Sequence, residues 1–145
     1  MPISKGEAKQ QISLFIRKEW RNEYAASESG SLYKTFWPDA TTGPSDSNIS
    51  RKYSNILFRI YTGHCRLNKH LHRIGCHENG LCEQCRTDET LQHYLFECPK
   101  YHHARQQVTE TADRHNVNLN LLDMVRNLYT RVSLVEFVLT TGKDI

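Results

Sequence analysis

The chain has 145 residues, a formal net charge of +3 at pH 7 and a mean hydropathy of −0.66. This length fits a single domain with a real core, and such a small net charge does not by itself indicate a nucleic-acid-binding protein. No apolar run reaches membrane-spanning length, the N-terminus lacks a secretory stretch, and five cysteines favour a reducing intracellular compartment, cytoplasm or nucleus, over a disulfide scaffold.

The first predicted helix covers residues 4–24. Ser4 and Glu7 have the spacing of a capping box, in which each residue satisfies a backbone N–H near the other. Apolar residues then recur every three or four positions, which is the pattern of an amphipathic helix. These residues are Ala8, Ile12, Phe15, Ile16, Trp20 and Tyr24.

The segment after this helix interrupts the pattern. Gly30 and residues 31–38 break the periodicity, and Trp37 should be extended because it precedes a proline. Residues 39–48 are rich in small and polar residues, as is typical of a loop or linker. We therefore expect residues 1–48 to form an N-terminal helix plus linker, and residues 49–145 to form one helical domain.

Helical periodicity continues through most of the second domain. Ser133 and Glu136 again have capping-box spacing, and Gly142 is a suitable helix stop. We find no alternating strand pattern and no internal repeat, so the predicted fold class is all-α, a small multi-helix domain. The predicted helices cover residues 50–62, 66–74, 101–115, 121–129 and 134–140.

A cluster of potential metal ligands lies between these helices. Cys82 and Cys85 form a C-x2-C pair, which supplies half of a tetrahedral zinc site. His93 and Cys98 can complete the site as C-x2-C-x7-H-x4-C. Because Pro99 keeps Cys98 out of the helical region, a short helix capped by Asp88 and starting near residue 89 would end there and turn the chain back towards the ion.

A second pair of ligands could instead close, that is complete, the site. This closure uses Cys98 with His102 or His103, as in a ββα zinc finger, whose last two ligands lie on one continuous helix. Pro99 lies where that helix would run, and His93 would have no role, so the first closure is favoured.

Either closure would use only protein ligands, which is typical of a structural site, and thiolates favour zinc over magnesium or calcium. The competing interpretation is a set of buried free thiols with a surface histidine. Three cysteines and a suitably spaced histidine within 17 residues argue against it. Cys65 and Cys76 remain outside the predicted site.

Positive charge is concentrated just before this cluster. Residues 47–77 contain six Arg and Lys residues and no Asp or Glu. Because these charges share one sign, they repel one another unless an anion is present, and the phosphate backbone of RNA or DNA is the natural candidate. An ordinary solvated helix face is the alternative. The predicted nucleic-acid-binding residues are Arg59, Arg66, Lys69, His70 and Arg73, the last four forming one stripe on the helix predicted for residues 66–74.

The sequence from Arg59 to Arg105 resembles a known region. The run RIYTGHCRLNKHLHRIG, the CCHC motif and the following Pro-Lys-Tyr resemble the C-terminal region of non-LTR (LINE-type) retrotransposon polyproteins, downstream of their reverse transcriptase and RNase H domains. Further matching positions are Glu89, Thr90, His93, Leu95, Cys98, Pro99 and Tyr101.

The resemblance implies a zinc-binding accessory module that engages template RNA or target DNA during reverse transcription. The chain has no Y-x-D-D polymerase motif and no recognisable set of RNase H carboxylates, so we expect no enzymatic activity. The expected partners are RNA, DNA or other parts of a retroelement polyprotein, without a membrane or a small-molecule substrate. Two alternatives are a protein-interaction domain in which zinc only holds helices together, and a hydrolase, which scattered carboxylates disfavour.

Overall fold

The computed structural model describes residues 4–46 and 48–145, and the chain divides into two units, Met1–Ser45 and Asp46–Ile145. Residues 1–3 and Ser47, part of the predicted N-terminal segment and linker, lie outside the described residues, and the predicted boundary at 48/49 stays a prediction. No strand occurs in the described ranges, where the only β-pairing is an isolated bridge between Leu81 and Asp88. The all-α fold class is confirmed.

The first unit contains a long helix, α1 (Lys5–Ala26), and a short one, α2 (Ser31–Phe36). The capping box is confirmed, since Ser4 Oγ accepts a hydrogen bond from Glu7 N at 3.2 Å and Glu7 Oε2 accepts one from Ser4 N at 2.8 Å. The periodicity of apolar residues did not predict α2, which follows Gly30 in the left-handed conformation (φ 67°). Trp37 leaves the helix, and its carbonyl accepts a hydrogen bond from Tyr24 Oη at 2.7 Å.

The second unit consists of helices that pack around its last helix. The helix predicted for residues 50–62 is close to α3: Ser50 caps its N-terminus, and Gly63 ends it at φ 72°. The elements are α3 (Arg51–Thr62), α4 (Asn68–Arg73), a π-helix (His93–Glu97), a 3₁₀ turn (Pro99–Tyr101), α5 (His102–Arg114), α6 (Leu121–Arg126) and α7 (Leu128–Thr141).

Two helix starts differ from the prediction. Helix α4 begins only at Asn68, because Leu67 is extended (φ −94°, ψ 148°). Helix α7 begins at Leu128, and the predicted capping box at Ser133 is wrong: Ser133 lies inside the helix, and its Oγ donates to the carbonyl of Thr130 at 2.7 Å. The actual cap is Asn127, whose Oδ1 accepts from the backbone N–H groups of Tyr129 and Thr130.

Helix α7 forms the centre of the core in the second unit. It packs against α3, α5 and α6, and its Leu134, Val135 and Phe137 are buried. The rings of Tyr94 and Tyr101 meet Phe137 edge-on, with ring centroids 5.2 and 6.1 Å away. This aromatic cluster fixes the π-helix against the core, and therefore fixes the position of His93 and Cys98.

Candidate metal centre and adjacent basic helix

The four predicted ligands come together. One ligand atom from each of Cys82, Cys85, His93 and Cys98 lies within 4.8 Å of all the others. The Sγ atom of Cys98 is 3.9 Å from that of Cys82 and 3.7 Å from that of Cys85. A tetrahedral zinc ion with Zn–S bonds of about 2.3 Å would place its sulfurs roughly 3.8 Å apart. The cluster is therefore compatible with a metal site.

The first two cysteines lie on a tight loop that the bridge between Leu81 and Asp88 closes. Cys82 N donates to the carbonyl of Thr87 at 2.8 Å, and Arg86 N donates back to the carbonyl of Cys82 at 2.9 Å. Arg86 adopts a left-handed conformation (φ 58°), which completes the turn. These backbone bonds hold the two thiols of the C-x2-C pair on one side of the loop.

The other two ligands lie at the ends of a widened helical turn. Cys98 N donates to the carbonyl of His93 at 2.8 Å, which is the i to i+5 bond of a π-helix. Cys98 itself is extended (φ −62°, ψ 121°), as the following proline predicted. The predicted cap at Asp88 is wrong, because Thr90 caps this turn: its Oγ1 accepts from His93 N at 3.1 Å.

His93 provides the clearest test of whether the cluster fits a metal. Its ring is buried, and its Nε2 has no hydrogen-bond partner among the described residues. Its Nδ1 lies 3.7 Å from Glu97 Oε2. A buried polar atom without a partner costs free energy, whereas a metal-bound histidine ordinarily uses one nitrogen for the ion and points the other at a carboxylate or carbonyl. The residues present therefore fit a zinc ion.

The thiols have unequal acidities. Burial of Cys82 opposes its ionisation, but the backbone N–H groups of Cys85 and Gln84 and the neighbouring side chains outweigh that effect and lower the pKa of Cys82 to about 7. Burial and the nearby sulfurs of Cys98 and Cys82 raise the pKa of Cys85 to about 11. Without a cation, ionisation of one thiol thus disfavours ionisation of the next, and a bound cation would offset this repulsion between thiolates.

Two residues that sequence reasoning did not assign support the cluster. Arg105, on α5, donates from Nε to the carbonyl of Leu95 at 2.7 Å and from Nη2 to the carbonyl of Cys98 at 2.9 Å. It thereby satisfies carbonyls that the end of the π-helix leaves open. Glu89 is buried, and its two carboxylate oxygens accept from Asn68 N at 2.8 Å and Lys143 Nζ at 2.7 Å.

The other cysteines and histidines of the prediction lie elsewhere. Cys65 is buried and Cys76 is exposed, and neither belongs to the cluster. His102 and His103, the ligands of the second closure, are exposed. The structure therefore favours the closure through His93, and the assignment of the four residues as ligands stays a prediction until an ion is observed.

The basic residues lie near the cluster but form a different arrangement from the predicted stripe. Arg66 precedes α4 and pairs with Asp144 at 2.6 Å. Lys69 pairs with Asp88 at 2.7 Å. The argument that these charges need an external anion therefore does not hold for Arg66 and Lys69, because folding brings carboxylates from distant parts of the sequence beside them.

The remaining predicted residues also have partners within the chain. Arg59 lies 3.3 Å from a carboxylate oxygen of Asp144 and donates to the carbonyl of Ile145. Arg73 Nη2 lies 2.9 Å from His70 Nδ1. The Arg59, Arg66 and Lys69 side chains are between 44 and 66% exposed, and such surface ion pairs contribute little, so a phosphate can exchange for the carboxylate.

A cleft borders helix α4. Its volume is about 460 Å³, and cationic and apolar side chains line it together with the acidic Glu89. The lining includes Cys65, Leu67, Lys69, His70, Arg73 and Leu91. The basic residues of α4 therefore border a concave surface rather than a flat one.

Comparison with known proteins gives one relevant similarity. Over 90 residues, the chain is 26% identical to the protein named "Retrovirus-related Pol polyprotein from type-1 retrotransposable element R1 4" of Nasonia vitripennis. The aligned part covers 61% of this chain and 22% of that polyprotein. The chain is similar to part of a retrotransposon polyprotein. It spans about a fifth of that relative's length, and neither a protein-family model nor a solved structure matches it.

None of the described helices combines the length and the apolar character that crossing a bilayer requires.

Proposed function

We propose that the second unit is a zinc-stabilised nucleic-acid-binding module of a retroelement polyprotein, with no catalysis of its own. The observation that carries the proposal is the meeting of three sulfurs and one imidazole within 4.8 Å, directly beside a basic helix. The similarity to a retrotransposon polyprotein supports the same function.

Zinc would be held by Cys82, Cys85, His93 and Cys98. Three thiols and one imidazole are a frequent donor set of structural zinc sites, and four protein ligands leave no position for a reacting water. The ion would supply folding free energy, on the order of 10 kcal/mol in zinc-finger peptides. Its function here would be to hold the loop and the π-helix together.

The metal loop, residues 80–89 with Cys82 and Cys85, is joined directly to the basic helix α4. Asn68, the first residue of α4, donates from Nδ2 to the carbonyl of Leu81 at 2.8 Å, and its backbone N–H donates to Glu89. Gly80 approaches the backbone of α4 so closely that a Cβ atom would lie 3.3 Å from Lys69 Cα. A metal that orders the loop would therefore also order α4 and its cationic side chains.

Phosphate contacts would come from Arg66, Lys69 and Arg73. The carboxylate partners of Arg66 and Lys69 are solvent-exposed, so the polyanionic backbone of RNA or DNA can compete for these cations and release bound counterions. Single-stranded nucleic acid fits best, because a cleft with apolar walls lies beside these cations and can accept unpaired bases.

The proposal is tested on the zinc-loaded chain with labelled single-stranded RNA and DNA at several salt concentrations. We expect about one zinc per chain by mass spectrometry, and binding that weakens steeply with salt. The triple variant Arg66→Glu, Lys69→Glu, Arg73→Glu should lose at least about tenfold in affinity and show a shallower salt dependence, while circular dichroism stays unchanged.

The matched control is Lys18→Glu, Lys100→Glu, Arg114→Glu. It carries the same charge change at exposed positions outside α4. If both triple variants bind as tightly as the parent chain, or lose affinity equally, α4 is not the binding surface. Cleavage of the nucleic acid in the presence of magnesium would contradict the absence of catalysis.

A protein-interaction domain is the second candidate. The ion pairs of Arg66 and Lys69 with carboxylates of the same chain favour it, because these cations already have partners. Salt-insensitive association with another segment of a retroelement polyprotein, together with no measurable binding to RNA or DNA, would establish this alternative.

A further inference from the structure

Helix α1 presents an apolar face to solvent. Ile12, Phe15, Ile16 and Trp20 lie on one side of the helix, and each is between 56 and 64% exposed. None of the residues of α1 is buried. A contiguous group of large apolar side chains that stays exposed marks an interaction surface.

The charges on this face are arranged unfavourably for a helix on its own. At 100° per residue, Lys5 and Lys9 fall on the apolar side near the N-terminus, and Glu19 and Glu23 fall there near the C-terminus. The helix macrodipole favours the opposite placement. Each pair also sets like charges four residues apart, which is destabilising. Among the described residues, none of the four takes part in an ion pair.

These positions have two-fold symmetry about residue 14. Residues at equal distances before and after this centre complement each other. Each lysine has a glutamate as its counterpart, the small alanine has the large tryptophan, and one isoleucine has the other. The pairs are Lys5 with Glu23, Lys9 with Glu19, Ala8 with Trp20, and Ile12 with Ile16.

We propose that α1 pairs in antiparallel orientation with α1 of a second copy of this chain. In that orientation each lysine meets a glutamate, Ala8 leaves space for the partner's Trp20, and the two isoleucines form the central layers. The macrodipoles also oppose each other, which is favourable. A parallel pair would instead place lysine beside lysine and glutamate beside glutamate, which is unfavourable.

The size of the surface sets the expected strength. Helix α1 has 22 residues and is therefore about 33 Å long. One helix face of this length is at the small end of specific interfaces, so we expect a monomer–dimer equilibrium at roughly micromolar concentrations instead of an obligate dimer. The inference does not depend on nucleic-acid binding.

The test is sedimentation equilibrium of the full zinc-loaded chain over a range of concentrations. The parent chain should form dimers. Lys9→Glu and Glu19→Lys should each reduce self-association at least about tenfold, because each places like charges opposite each other twice per dimer. The double variant Lys9→Glu, Glu19→Lys should recover the parental association. An equimolar mixture of the two single variants should form heterodimers, because both cross-pairs are then opposite in charge.

Two further variants keep the interpretation unambiguous. Ile12→Glu should give a monomer, and Lys18→Glu, on the other side of α1, should associate like the parent. Because these side chains are exposed, the variants should retain the parental circular dichroism spectrum. A parent chain that stays monomeric at all concentrations overturns the proposal. Unchanged association of Lys9→Glu also overturns it, since a parallel pair, or a different surface, would then be responsible.

Discussion

The unpaired Nε2 of His93 is the residue-scale feature that most strongly requires a ligand. It is buried next to three thiols and has no hydrogen-bond partner in the described part of the chain. Native proteins rarely leave a buried polar atom without a hydrogen-bond partner, so such an atom indicates that a ligand belongs there. Together with sulfur spacings close to those around a tetrahedral ion, this nitrogen makes the cluster compatible with a metal site and supports the zinc proposed above.

We predict that Cys98→Ser removes the zinc and destabilises the second unit. Loss of one thiolate ligand should lower the midpoint of thermal unfolding by roughly 15 °C or more, because several kcal/mol of metal-binding free energy is lost. Zinc content and differential scanning calorimetry measure the two effects. Cys76→Ser is the matched control, because Cys76 is exposed and outside the cluster. A Cys98→Ser protein that still holds one zinc per chain would contradict the assignment.

A second residue-scale prediction concerns the buried cation of Arg131. Its side chain lies within 3.5 Å of Asp46 Oδ1, and Asp46 Oδ2 accepts from Tyr61 Oη at 3.1 Å. Asp46→Ala leaves a buried positive charge without its partner and should cost about 3 kcal/mol in the free energy of unfolding. The double variant Asp46→Ala, Arg131→Met should recover most of that loss. Urea denaturation measures both, and additive losses in the double variant would count against a buried ion pair.

At the scale of elements, the metal loop and α4 meet at Gly80. Gly80 has a positive φ of 68°, and a Cβ atom there would lie 3.2 Å from His72 Cβ and 3.3 Å from Lys69 Cα. Gly75 has a similar φ of 76° but open space around it. Substitutions at the two glycines therefore distinguish the cost of backbone strain from the cost of disturbing the contact between the loop and α4.

Gly75→Ala should cost about 1 kcal/mol, since only left-handed strain opposes it. Gly80→Ala should cost about 1–2 kcal/mol more and should weaken zinc affinity, because the added methyl group pushes the loop away from α4. Chemical denaturation and zinc titration measure the difference. If the two variants behave alike, the loop does not depend on its approach to α4.

The elements that the sequence predicts well are those with local signals. The predicted helix 50–62 is close to α3, Pro99 ends the helix before Cys98, and the sequence predicts that Cys82, Cys85, His93 and Cys98 come together, as they do. The π-helix itself has no such signal, because it arises when Tyr94 and Leu95 are drawn into the core while His93 turns towards the thiols. Tertiary packing, and not a local sequence signal, therefore determines that this turn is a π-helix.

The contacts that the sequence could not predict join distant positions. Arg66 and Asp144 are 78 residues apart, and Arg105 reaches carbonyls of the π-helix from a separate element. Charge patterning along the chain therefore predicted repulsion where the fold supplies carboxylates. The start of α7 was missed for a different reason: its cap is a single asparagine, Asn127, whereas Ser133 and Glu136 have the spacing of a two-residue cap by coincidence.

For the whole molecule, zinc removal should affect the two ends of the second unit differently. Between residues 76 and 92 few apolar side chains are buried, whereas α7 and its partners contain most of the core. Chelation should therefore raise amide hydrogen exchange first in the metal loop and α4, with α6 and α7 protected longer. Nucleic-acid affinity should fall in the same step. Simultaneous loss of protection throughout the second unit would instead mean that the ion holds the entire core.

The wide turn between His93 and Cys98 also determines which sequence changes this protein can accumulate. Its defining bond joins residues five apart, so the number of residues between the two ligands fixes whether imidazole and thiol can meet. Single-codon replacement of Phe96 or Glu97, the residues of the turn that are not buried, leaves that length untouched. Loss or gain of one codon there rotates one ligand by about 100° relative to the other and separates them. The protein should therefore tolerate substitutions at these two positions, whereas an in-frame insertion or deletion between His93 and Cys98 should abolish metal binding.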